Sequence, residues 1–157
     1  MRLTLNGEIW KLSFRHLSGE AAGERALENH PTIRRFVERL EKHLGTLKGE
    51  KWEKCVASMT DALERLSWKI EDCTTHVTTA FLRKIEGEAL PDLEGWETLR
   101  KEGKLFIGDA FCSISDLFTK EKGRRIALER ALETFPRALR KEVWKQYDAR
   151  GRKEVVQ

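Results

Sequence analysis

Cysteine is scarce and unpaired in this 157-residue chain. Cys55, Cys73 and Cys112 are odd in number, far apart and without a C-x-x-C pair. That excludes the usual zinc patterns and argues against a disulfide framework. Each lies beside apolar neighbours, so all three are expected to act as small core residues. His16, His30, His43 and His76 are just as scattered, none at helical ligand spacing from another histidine or a cysteine, and neither a metal nor a cofactor is expected. No apolar run approaches the length that spans a bilayer, and the N-terminus "MRLTLNGEIWKL" turns polar after five residues. Neither a membrane partner nor a signal peptide is expected, and the expected location is the cytoplasm. Also missing are G-x-S-x-G, H-E-x-x-H and the glycine-rich phosphate loop ending in G-K-[ST]. With no nucleophile–base pair to name, the chain is not expected to be an enzyme.

What is present is a soluble-type composition, 39% hydrophobic and 36% charged, in a length that suits one domain spanning residues 1–157. The charge is segregated. Residues 120–157 hold 12 Lys/Arg against 6 Asp/Glu, whereas residues 1–119 hold 18 against 20. A basic segment set apart in this way focuses potential and favours anionic partners.

The pattern along the chain predicts an α+β fold. "MRLTLNGEIWKLSF" alternates apolar and polar residues around Asn6-Gly7, a strong hairpin signal. Leu3, Leu5, Ile9, Leu12 and Phe14 supply its buried faces, and the change of parity between Ile9 and Leu12 predicts a bulge near Trp10. Residues 17–30 read as a loop or weak helix. Two amphipathic helices follow within 31–71. The first carries Ile33, Phe36, Val37, Leu40 and Leu44. The second carries Trp52, Cys55, Val56, Met59, Leu63, Leu66 and Ile70. "CTTHVTTAFLRKIEG" reads as a strand, residues 87–103 as a polar connection, and "KLFIGDAFCSI" as a strand broken or bulged at Gly108. Two helices close the chain over 119–150, the last ending near Gly151. The expected architecture is a small antiparallel sheet of about four strands with helices on one face and 31–71 as an inserted helical hairpin.

The basic cluster sits at the mouths of the two last helices. Free N–H groups at a helix start attract anions, and arginine adds a planar fork suited to phosphate. Positive charge there is mildly unfavourable to the helix itself, so helix stability does not ask for it. Lys122, Arg124, Arg125, Arg137 and Arg140 are the candidate phosphate contacts, and Phe118 is the candidate stacking face. Basic residues on an amphipathic helix are also commonly just a solvated face. Among the aromatics, Trp52, Trp144 and Tyr147 fit helical core stripes, whereas Trp10, Trp68 and Trp96 are candidates for an interface. At 100° per residue, Trp52 and Trp68 lie about 160° apart around one helix, so at least one must face away from its core. An outward tryptophan on a charged helix suggests a homo-oligomer, a dimer or higher, seamed by the hairpin.

The run "FCSISDLFTKEKGRRIALERALETFPRALRKEVWKQY" resembles the tail of small phage-encoded proteins that combine a strand ending in cysteine, a D-x-F, a K-x-x-G-R-x-x-A-L-x-R-A-L helix and a closing R-x-x-x-W-x-x-Y helix. The pattern falls on Cys112, Asp116, Phe118, Lys120, Gly123, Arg124, Ala127, Leu128, Arg130, Ala131, Leu132, Arg140, Trp144 and Tyr147. Within that group the tail is similar to the phage Thoeris anti-defence proteins. That resemblance implies a protein of the host-cell cytoplasm that sequesters a cyclic nucleotide-type signal without cleaving it, by aromatic stacking and arginine contacts to phosphate. The alternative is an inhibitor whose basic face docks on an acidic surface of a host enzyme or defence complex, such as RNA polymerase or a CRISPR-type nuclease. Direct nucleic-acid binding ranks below both, because no groove-reading motif or aromatic–basic alternation is present.

Overall fold

The computed structural model describes residues 1–86 and 93–150. In chain order its elements are β1 (Arg2–Leu5), β2 (Glu8–Ser18), α1 (Glu20–Asn29), α2 (Pro31–Leu44), α3 (Glu50–Cys73), β3 (Thr74–Lys84), α4 (Leu93–Lys101), β4 (Leu105–Ser113), α5 (Lys120–Leu132) and α6 (Arg137–Arg150). The strands form one antiparallel sheet in the order β1-β2-β3-β4, so the fold is α+β as the sequence predicts.

The β1–β2 turn needs positive φ at both central residues to match the twist of its strands, and Asn6 at 50° and Gly7 at 79° provide it. The register pairs Leu3 with Trp10 and Leu5 with Glu8 without interruption. No bulge occurs near Trp10. Trp10, Leu12 and Phe14 share the core side of β2, and Ile9 is left exposed on the other side. Two adjacent apolar residues compete for one inward position, and the register facing Leu3 awards it to Trp10.

Of the two readings of residues 17–30, the helix is the one present: α1 follows the end of β2. Of the expected connection 87–103, residues 87–92 lie outside the described residues, and from Leu93 the chain is helical. Trp96 of α4 packs edge-on against Phe81 of β3 at 5.5 Å, a partner fifteen residues away that local pattern does not reveal. Gly151, where the last helix was expected to end, also lies outside the described residues.

Packing divides the chain into two compact units. The first comprises the described residues of Met1–Arg15, Thr78–Ala110 and Lys120–Gln157. Its core joins Leu3, Leu5, Trp10, Leu12 and Leu82 of the strands to Leu128, Leu132, Phe135, Val143 and Tyr147. Beside it runs a seam of alanines: Ala80 and Ala110 from the sheet, Ala127 and Ala131 from α5. At this seam β4 runs unbroken through Gly108. A Cβ there would stand 2.2 Å from both Ala127 O and Ala131 N, so its missing side chain is what lets the backbone of α5 approach the sheet. The small residues at 123, 127 and 131 therefore have a packing reason: all three are buried and recur every four residues along α5. Arg130 fastens the same helix by donating to the Asp109 carbonyl, while the Asp109 carboxylate accepts from Thr79 Oγ1.

The second unit comprises His16–Val77 and Phe111–Thr119. Here α1 and α2 both pack on α3, so the inserted helical part has three members. Gly23 makes the α1–α3 approach possible: a Cβ would lie 3.0 Å from Glu71 Cγ and 3.3 Å from its carbonyl oxygen. α2 begins where the His30 ring accepts a hydrogen bond from Thr32 N and Pro31 occupies the first turn, where a missing N–H costs nothing. The apolar stripes are only partly covered: α2 has no fully buried residue and α3 has one, Ile70. Trp52 does not reach the core and is 43% exposed, whereas Trp10 is a core residue rather than an interface one.

Candidate functional site

Five of the six candidate ligand contacts lie in the first unit, on α5 and α6. Glu121, in the first turn of α5 where a carboxylate complements the helix dipole, gathers several of their neighbours. It accepts from Tyr147 Oη at 3.0 Å and from Arg150 Nη2 at 3.3 Å. The Arg150 guanidinium in turn covers the Tyr147 ring at 4.4 Å. Burial, reinforced by the bond to Glu121, pushes the Tyr147 phenol above its ordinary value.

The basic side chains differ sharply in what they are already doing. Arg125 donates to Asp148 at 2.8 Å and lies 5.3 Å over the Trp144 ring, and the hydrogen bond to that carboxylate raises its pKa further. Arg140 donates from Nε to Phe135 O at 2.9 Å and from Nη2 to Glu133 O at 2.7 Å. It thus satisfies carbonyls just beyond the end of α5 that would otherwise lack partners. Arg124 is different. Its side chain is 33% exposed, and its nearest carboxylate oxygen, on Glu121, is 3.9 Å away. Its Nε is buried with no hydrogen-bond acceptor among the described residues, and the guanidinium sits 5.9 Å from the Phe14 ring centre. Lys122 and Arg137 are exposed on the surfaces of their helices.

Phe118 belongs to the second unit. Its ring lies flat on His76, centroids 4.2 Å apart and planes within 4°, with His16 edge-on at 6.4 Å. One aromatic face is therefore already occupied. Just before it, Asp116 closes a tight turn by accepting from Ser113 N and Ser113 Oγ, and Ser113 Oγ also meets Ser115 Oγ at 2.7 Å. This turn leaves Ile114 72% and Leu117 91% exposed. A cavity of about 450 Å³ in the same unit is lined by Ser18, Gly19, Glu20, Gly23, Glu71, Asp72, Thr74, Thr75 and His76. With three carboxylates and no Lys or Arg, its lining has the wrong sign for an anionic ligand. Cys55, Cys73 and Cys112 are free thiols, all half-buried.

Sequence reasoning missed Glu121 and Asp148, which determine which arginines are available. Glu121 stands three residues before Arg124, a spacing that carries the signal, but Asp148 is twenty-three residues from Arg125 and no local pattern reports it. No helix among the described residues is long and apolar enough to cross a membrane. No known protein family, curated protein or solved structure matches this chain.

Proposed function

We propose that this chain is a non-catalytic accessory protein that binds and holds an anionic, cyclic nucleotide-type signal at the α5–α6 edge, the anti-defence role that its tail's resemblance implies. Arg124 carries the reading. Its guanidinium is one-third exposed, its ion pair to Glu121 is long at 3.9 Å, and its Nε has no acceptor among the described residues, which together support its use for phosphate oxygens. Lys122 and Arg137 add charge from the solvent side. Arg125 and Arg140 serve as positioning residues, one held by Asp148 and the other tied to the turn between the helices.

Calorimetric titration with a panel of linear and cyclic nucleotides tests this. The wild type is expected to bind at least one of them with affinity that falls as salt is raised. Arg124→Gln is expected to abolish binding with circular dichroism unchanged, while Arg125→Gln retains most of it. An Arg124→Gln protein that binds as the wild type does would overturn the assignment.

A second reading has its own observation. Ile114 and Leu117, held outward by the Ser113–Asp116 turn, are of no use to a small anion but suit a protein surface. On that reading the chain is an inhibitor docking on an acidic host protein. It gains if no nucleotide binds and Leu117→Asp abolishes inhibition in cells.

A further inference from the structure

The second unit carries two outward strips of opposite sign whose placement its own helices do not explain. On α2, Arg35, Arg39 and Lys42 recur at four- and three-residue spacing and are all exposed. None of the three side chains makes a hydrogen bond or ion pair among the described residues. Arg34 and Arg35 also stand near the start of α2, which has no acidic residue in its first turn, so they oppose the helix dipole. On α3, Asp61, Glu64, Trp68 and Asp72 recur at three- and four-residue spacing. Trp68 is 72% exposed, and its three acidic neighbours are exposed as well. Asp61 already shares Arg65 one turn on, whereas Glu64 and Asp72 have no such partner among the described residues. Glu71 and Asp72 end α3 with no basic residue in its last turn, again the wrong sign for the dipole.

From this complementarity we propose that a second copy of the chain docks here, the Arg35–Arg39–Lys42 strip of one copy lying on the Trp68 strip of the other. The occupant follows from the pairing of signs. A basic partner would leave the α2 strip uncovered, an acidic partner the α3 strip, and only a surface bearing both satisfies each. Arginine over the face of Trp68 adds a cation–π contact, which is stronger once the pair is shielded from water. This contact does not depend on the nucleotide reading, since none of its residues lies on α5 or α6.

A charge-swap experiment tests it by light scattering at micromolar concentration. Wild type is expected to show at least twice the 18.3 kDa monomer mass. Arg35→Glu with Arg39→Glu, and separately Glu64→Lys with Asp72→Lys, are each expected to be folded monomers, because every contact then sets like charge against like. Mixing the two variants is expected to restore the larger mass. A wild-type monomer overturns the proposal, as does a pair of reversed variants that keep the wild-type mass. A monomeric wild type whose tryptophan fluorescence is quenched by a lysine-rich peptide, with no such quenching in Trp68→Phe, would instead assign the α3 strip to a basic partner and overturn the second copy.

Discussion

Gly108→Ala is the sharpest structural perturbation this fold offers, because one methyl group meets the backbone of α5 at three atoms. The new Cβ would stand 2.2 Å from Ala127 O and Ala131 N and 2.9 Å from Arg130 C. Ordinary contact begins near 3.4 Å. The shortfall is therefore about 1 Å, and no flexible side-chain end is there to yield. α5 must lift from the sheet by roughly that amount, and a gap of this size forfeits about a quarter to a half of each dispersion contact along the seam. Overpacking ordinarily costs about 1–3 kcal/mol; with helix backbone rather than a side-chain end in the way we expect about 3 kcal/mol or more. For a chain of this size that lowers Tm by roughly 6–12 °C. Gly45→Ala is the matched control. Its backbone is right-handed helical, φ −61°, and the added Cβ would lie 3.5 Å from Glu41 O, an ordinary contact. It should stabilise by about 0.4–1 kcal/mol through the unfolded chain. Differential scanning calorimetry of both variants decides the matter. A Gly108→Ala protein melting within about 2 °C of wild type would refute the close approach of α5 to β4.

Other outcomes follow from single contacts. Arg140→Ala removes two hydrogen bonds to carbonyls between α5 and α6 and is expected to cost about 1–3 kcal/mol in a denaturant titration, more than Arg125→Ala, whose ion pair is exposed. Tyr147 is the single tyrosine, so tyrosinate absorbance reports it alone. Its raised pKa means that its contribution to stability is full below the ordinary 10.0 and is lost as pH rises through the higher folded value. The folded protein should therefore titrate above 10.0 and the denatured chain near it. Glu86 is held below its ordinary 4.5 by hydrogen bonds first from Lys104 and then from Lys84, so its contribution is present above 4.5 and lost as pH falls through the lower folded value. Glu86→Gln should flatten the acid side of the Tm-against-pH curve, and an unchanged acid limb would show that this cluster contributes nothing.

The sequence reveals elements wherever the signal is local. The Asn6-Gly7 turn and the 3.6-residue periodicity of residues 31–71 and 119–150 announce themselves within a few positions. It fails where the deciding partner is distant. Ile9 and Trp10 look equally apolar, and only pairing with β1 selects Trp10. Gly108 reads as a strand breaker until α5 is set above it, and α4 is invisible without Phe81 as the partner of Trp96. Trp52 fits the apolar stripe of α3 by spacing, yet that stripe has too little packed on it to bury the ring. The candidate site divides in the same way. Its basic residues can be read directly, but Asp148, which pairs with Arg125 from twenty-three residues away, cannot; in the other unit the same holds for the His76 ring beneath Phe118.

Whether the proposed signal is held without being consumed can be read from what the protein releases. Purified protein is incubated with the nucleotide that binds in titration, freed of excess ligand, heat-denatured, and the released material identified by mass spectrometry. Intact nucleotide is expected from wild type in stoichiometric amount, and none from Arg124→Gln. Release of a cleaved or otherwise altered product, or equal recovery from the Arg124→Gln protein, would contradict the proposal.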